Sequence, residues 1–128
     1  MNQRALAFAA LLAAPLPSMA LTFAQAAENL LYFEYARLSA DYCESRGVVA
    51  RPLAAAWADR HAALERQSRE AVRAEGGRRG MKPAEQDEIL AAAIQDHRAT
   101  AQRALNDKGM PCNRYAAWLA GYSDLLKR

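Results

Sequence analysis

Long apolar runs are almost absent from this chain of 128 residues, and the longest one stands at its start. Beyond residue 26 no stretch reaches the roughly 20 apolar residues that a membrane-spanning helix needs. No block of five like charges occurs, which argues against a nucleic-acid-binding surface. Period-two runs of β-branched residues are also missing, which argues against a sheet.

Cysteine is scarce, since Cys43 and Cys112 are the two in the sequence. They are too far apart to match a zinc-binding motif. An isolated pair in an oxidising compartment usually forms a disulfide. We therefore predict a disulfide between them, provided that the chain is exported.

The N-terminus has the three-part pattern of a secretory signal peptide. A short start that carries Arg4 precedes about ten apolar residues, 5–14, and proline then breaks the run. Two small-x-small sequences follow, Ser18-Met19-Ala20 and Ala24-Gln25-Ala26, and either fits a signal peptidase. We predict a signal peptide over residues 1–26, with cleavage after Ala20 as the alternative.

The remaining part, 27–128, is long enough for one helical domain in the periplasm or outside the cell. Loss of the leader removes one basic residue of 17 and none of the 14 acidic ones, so the net charge falls from +3 to about +2. The mature protein is thus nearly neutral, which again gives no reason to expect a nucleic acid partner.

Glycine and proline divide the mature part into four segments rich in good helix formers. Apolar residues recur in each with the helical period. The predicted helices are 28–46, 52–74, 83–107 and 112–127. We expect an all-α fold, a small up-down-up-down four-helix bundle. Its first helix would end where the fourth begins, which suits the predicted disulfide, and tyrosines and tryptophan would fill the seam between those two helices.

Two histidines are the polar residues most suggestive of chemistry. His97 lies on the apolar stripe of the third helix, and His61 lies at the edge of the stripe of the second. In an antiparallel pair of helices they would stand at similar heights. Such a pair could bind a metal or haem, although no third ligand is evident. A buried histidine bonded to a backbone or hydroxyl group is the common structural alternative.

Two surfaces are candidates for contact with a partner. Leu30 and Phe33 cannot both face the core together with Leu31, so an exposed patch is expected there. Arg78 and Arg79 lie in a glycine-rich basic turn, which is either a contact surface or an ordinary solvated loop.

No catalytic motif occurs, and no cofactor is predicted. We therefore expect an exported protein that is not an enzyme and that binds another envelope protein, as an accessory, inhibitor, immunity or chaperone-like factor. A homodimer is compatible with the same surfaces. The alternative is a metal- or haem-binding bundle that uses His61 and His97.

Overall fold

The structure is a computed structural model that describes residues 20–128, and this part of the chain is almost entirely α-helical. The predicted all-α fold is confirmed, with no strand among the described residues. The apolar core of the predicted leader, 5–14, lies outside them. The α-helices are α1 (Phe23–Glu44), α2 (Arg51–Arg60), α3 (Ala62–Arg78), α4 (Pro83–Lys108) and α5 (Tyr115–Leu125), and a 3₁₀ turn, Cys112–Arg114, precedes α5.

Helix α1 begins at Phe23, five residues before the predicted start. The Thr22 hydroxyl accepts a hydrogen bond from the Gln25 backbone N–H, and the Gln25 side chain accepts one from the Thr22 N–H. This reciprocal capping satisfies two N–H groups that a helix start otherwise leaves unpaired. Leu21 and Ala26 are 6% and 0% exposed, so they belong to the core. The prediction was wrong here because these residues also resemble the end of a leader.

The helix predicted over 52–74 is two helices, with a break at His61 (φ −108°, ψ 14°). At the break, the Trp57 indole N–H donates to the Ser123 hydroxyl of α5, and His61 Nε2 lies 3.0 Å from the same oxygen. Helical periodicity carries no sign of such a contact. Helix α3 then continues to Arg78, past the predicted end.

Helix α1 lies at the centre of the bundle and packs against α2, α3 and α4. Helix α3 runs antiparallel to α1, as the pairs Asn29–Ser68 and Arg37–Glu65 show. Helix α5 is also antiparallel to α1, and the Tyr115 hydroxyl donates to the Ala36 carbonyl. A helical bundle is therefore confirmed, whereas a simple four-helix arrangement is not, because the second predicted helix is two.

The disulfide between Cys43 and Cys112 is confirmed. It joins the last turn of α1 to the turn that precedes α5. The closed loop spans 69 residues, and cross-links over loops of this length stabilise a domain by about 4 kcal/mol in the chain-entropy model.

Asn29 connects α1 to both α3 and the C-terminal end of the chain. Its Oδ1 accepts from the Lys127 backbone N–H at 2.7 Å, and its Nδ2 donates to the Lys127 carbonyl at 2.9 Å. The same Nδ2 donates to the Ser68 hydroxyl at 3.1 Å. Asn29 is fully buried, its bond to Ser68 is buried as well, and its two bonds to Lys127 are partly buried. We call the contacts among Asn29, Ser68 and Lys127 the Asn29 clamp.

Replacement of Asn29 by Asp should lower the free energy of unfolding by roughly 3 kcal/mol, because a buried carboxylate would face the Lys127 carbonyl and could donate to neither acceptor. Urea denaturation at neutral pH measures this loss. The control is Asn106→Asp, since Asn106 is exposed and its side-chain oxygen accepts from Gln102. If N29D were as stable as N106D, the clamp would contribute little to the fold.

Candidate functional site

The outer face of α5 carries an apolar groove of about 520 Å³. Small residues on successive turns, Ala117 and Gly121, form its middle, and both are exposed. Leu125 remains 45% exposed at one end. We call this the α5 groove; it is lined by Pro111, Arg114, Ala117, Trp118, Gly121, Tyr122 and Leu125.

Aromatic side chains support the groove from beneath. The rings of Trp118 and Tyr122 lie 4.1 Å apart between centroids, and Tyr35 of α1 contacts both. Tyr32 of α1 also packs on Tyr122. Burial raises the pKa of the Tyr122 hydroxyl, so this side chain is neutral at any physiological pH. These contacts form the aromatic seam predicted between the first and last helices.

Leu30 and Phe33 do not form the exposed patch that the sequence predicts. Each is 1% exposed, and the Phe33 ring packs on Trp57 of α2 with centroids 5.2 Å apart. The prediction was wrong because it assumed that α1 borders the bundle on one face. A helix at the centre of a bundle can bury several faces.

The basic turn contributes less positive charge than its sequence indicates. Arg78 and Arg79 are exposed, but both pair with Glu75, one turn earlier on α3. Such pairs stabilise the last turn of a helix and reduce the net charge that a partner would meet. The turn therefore offers one uncompensated arginine charge rather than two.

A second cleft, of about 650 Å³, lies between the C-terminal ends of α1 and α4. It is polar, and its charged groups have partners within the chain. Asp41 pairs with Arg51, and the Arg46 guanidinium lies 3.5 Å from the centre of the Tyr42 ring. Arg46 forms no ion pair among residues 20–128, but its guanidinium is held on the Tyr42 ring at the edge of a cleft that is largely polar.

The two histidines have different surroundings. His61 contacts Ser123, and its charged neighbours are Arg60 and Arg128. His97 has Asp96 and Glu34 as its charged neighbours. Within residues 20–128, no three metal-ligating side chains come together. The use of His61 and His97 as a metal or haem site stays a prediction.

An ion network across three helices was not anticipated from the sequence. Glu34, 4% exposed, accepts from Arg37 on its own helix and from Arg98 of α4. Arg37 also forms two hydrogen bonds to Glu65 of α3, at 2.6 and 2.7 Å. A buried carboxylate needs such partners to remain charged. Glu34 stands four residues after the buried Leu30, on the same side of α1 and not on its polar face. That position would have been the only signal in the sequence that its carboxylate is buried.

No protein-family model matches this chain, and no curated protein or solved structure is significantly similar to it. Within the described part, no helix is both long and apolar enough to cross a membrane. The α5 groove combines a mostly apolar lining, the exposed Leu125 and an exposed arginine, Arg114, that forms no ion pair among residues 20–128, and on this geometry it is the candidate site.

The unfolding free energy should fall as the pH drops from about 7 to about 5. Burial lowers the pKa of both His61 and His97 below the value of about 6.5 that histidine has in an unfolded chain. The unfolded chain then binds more protons in this window, so the stability present above about pH 7 is lost as the pH falls.

Urea denaturation at about pH 7.5 and about pH 5.5 measures this loss. The double variant H61Q/H97Q should show a smaller pH dependence in the same window than the unmodified protein. Glu44 and Glu75 also have lowered pKa values, but they titrate below this window. An equal loss in both proteins would contradict the assignment to the histidines.

Proposed function

We propose that this chain is an exported protein, not an enzyme, that binds a protein partner through the α5 groove. The observation that carries the proposal is the exposure of an apolar cleft beside Arg114. The other exposed large apolar side chains, Phe23, Val49, Leu53 and Ile89, do not line this cleft. Exposed apolar surface with a polar rim is a feature of protein contact sites. An accessory, inhibitor, immunity or chaperone-like role would each use such a surface.

Export is supported by two independent features. The N-terminal residues follow the pattern of a secretory signal, and the chain contains a disulfide, which persists in oxidising compartments. A periplasmic or secreted location accounts for both features.

We propose that signal peptidase cuts after Ala20 rather than after Ala26. A cut after Ala26 would remove Leu21 and Ala26 from the core, together with the Thr22 cap and the first turn of α1. Loss of such a cap alone costs about 1 kcal/mol, and loss of the buried leucine about 2 kcal/mol more. Cleavage after Ala20 leaves the whole helix in the mature protein.

A matched pair of variants tests this cut. Signal peptidase needs a small residue three positions before the bond that it breaks, and Ser18 and Ala24 occupy that position for the two candidate sites. S18R should therefore block processing, whereas A24R should not, since Ala24 is exposed on α1. Sequencing of the mature N-terminus should give Leu21. A mature protein that begins at Ala27 would contradict the proposal.

The binding proposal is tested by a photo-crosslinking amino acid in place of Leu125, a large side chain that is 45% exposed at one end of the α5 groove, in cells that export the protein. An equivalent residue at position 103, exposed on α4, is the control. Position 125 should give a discrete protein adduct, and position 103 should not. The absence of an adduct at 125 would contradict binding through this groove.

A further inference from the structure

We propose that the partner in the α5 groove is a second copy of this chain, packed antiparallel along α5. This inference rests on the binding function proposed for the same groove. Three observations support it: a glycine that the fold does not require, a self-complementary order of residues, and two exposed charges that such an interface would bring together.

Gly121 has no role in the packing of its own chain. A Cβ atom at this position would meet no atom within 4 Å, and the backbone is ordinary helix. Glycine inside a helix costs about 1 kcal/mol relative to alanine. Gly121 lies one turn after Ala117. Because it has no side chain, the backbone of another helix can approach closely there.

Two small and two charged residues, all exposed, are spaced symmetrically about Leu119 in the sequence. Ala117 and Gly121 stand two positions before and after it, and Arg114 and Asp124 stand five before and after. Arg114 belongs to the 3₁₀ turn and lines the groove with Ala117, whereas Asp124 lies on α5 three residues after Gly121, outside the groove lining. Leu119 itself is buried, so the two-fold axis would pass through the exposed face of α5 at its height and place Ala117 opposite the partner's Gly121.

The same axis would place Arg114 opposite the partner's Asp124, twice in the dimer. Both side chains are exposed, and neither belongs to an ion pair among residues 20–128. In a two-fold interface the same surface of each copy makes the contact, so that surface must carry both members of each interacting pair. A parallel arrangement would instead bring the two Arg114 side chains together.

An interface made by one helix from each copy is smaller than the standard size for stable complexes. We therefore expect a dimer with a dissociation constant in the micromolar range, in rapid exchange with the monomer. Sedimentation equilibrium of the purified exported protein, over a concentration series from micromolar to millimolar, should give a mass that rises towards twice that of one chain.

Charge reversal tests the antiparallel pairing. R114E alone and D124R alone should each raise the dissociation constant about tenfold or more, because each places like charges opposite each other twice. An equimolar mixture of the two variants should recover the affinity of the unmodified protein, since both contacts then join opposite charges. A variant that merely failed to fold could not be rescued in this way.

Gly121→Leu should also dissociate the dimer, while Ala92→Leu, at an exposed position on α4, should not. Two outcomes would overturn the inference: a monomer across the whole concentration series, or variant mixtures that stay as weak as the variants alone. The crosslinked adduct separates the two proposals. An adduct with a different protein would refute the dimer and support binding, whereas the absence of an adduct would refute both.

Discussion

The Asn29 clamp is the interaction on which the arrangement of the helices depends. A single buried amide bonds to α3 through Ser68 and to both backbone groups of Lys127, just beyond α5. A side-chain amide carries both an N–H donor and a carbonyl acceptor, as a backbone peptide group does. It can therefore bond to the N–H and the carbonyl of Lys127 at the same time. The clamp fixes the height of α5 relative to α1, and Leu126 is buried beside it.

Helix α1 combines apolar and polar contacts in a way that explains its central position. Leu30 and Phe33 are buried in the core, and Asn29, Glu34 and Ser39 are buried as well. Each of these polar side chains has a hydrogen-bond partner. Specific polar partners of this kind restrict a helix to one register, whereas apolar packing alone tolerates several. The fold thus uses a few buried polar groups to select among similar packings.

Much of the fold follows from local sequence signals. Pro83 and the glycine at position 109 bound α4 as predicted, and the cysteines pair because helix order brings them to one end of the bundle. Local signals do not determine which face of a helix is covered, and this is why Leu30 and Phe33 were assigned to the surface. The break at His61 was also not predicted; the contact found there, with Ser123, joins residues that are far apart in the sequence. The α5 groove was likewise not foreseen, because its residues are typical of a buried helix.

Helix α5 is tied to α1 at both ends, covalently through Cys43 and Cys112 and through Asn29 and Lys127 at the other end. A helix fixed in this way loses little conformational entropy when its outer face meets a partner. Detachment of the whole helix from α1 would have to break the disulfide and expose the buried amide of Asn29. The chain therefore presents a preorganised surface, and the proposed partner would meet it without the entropic cost of ordering α5.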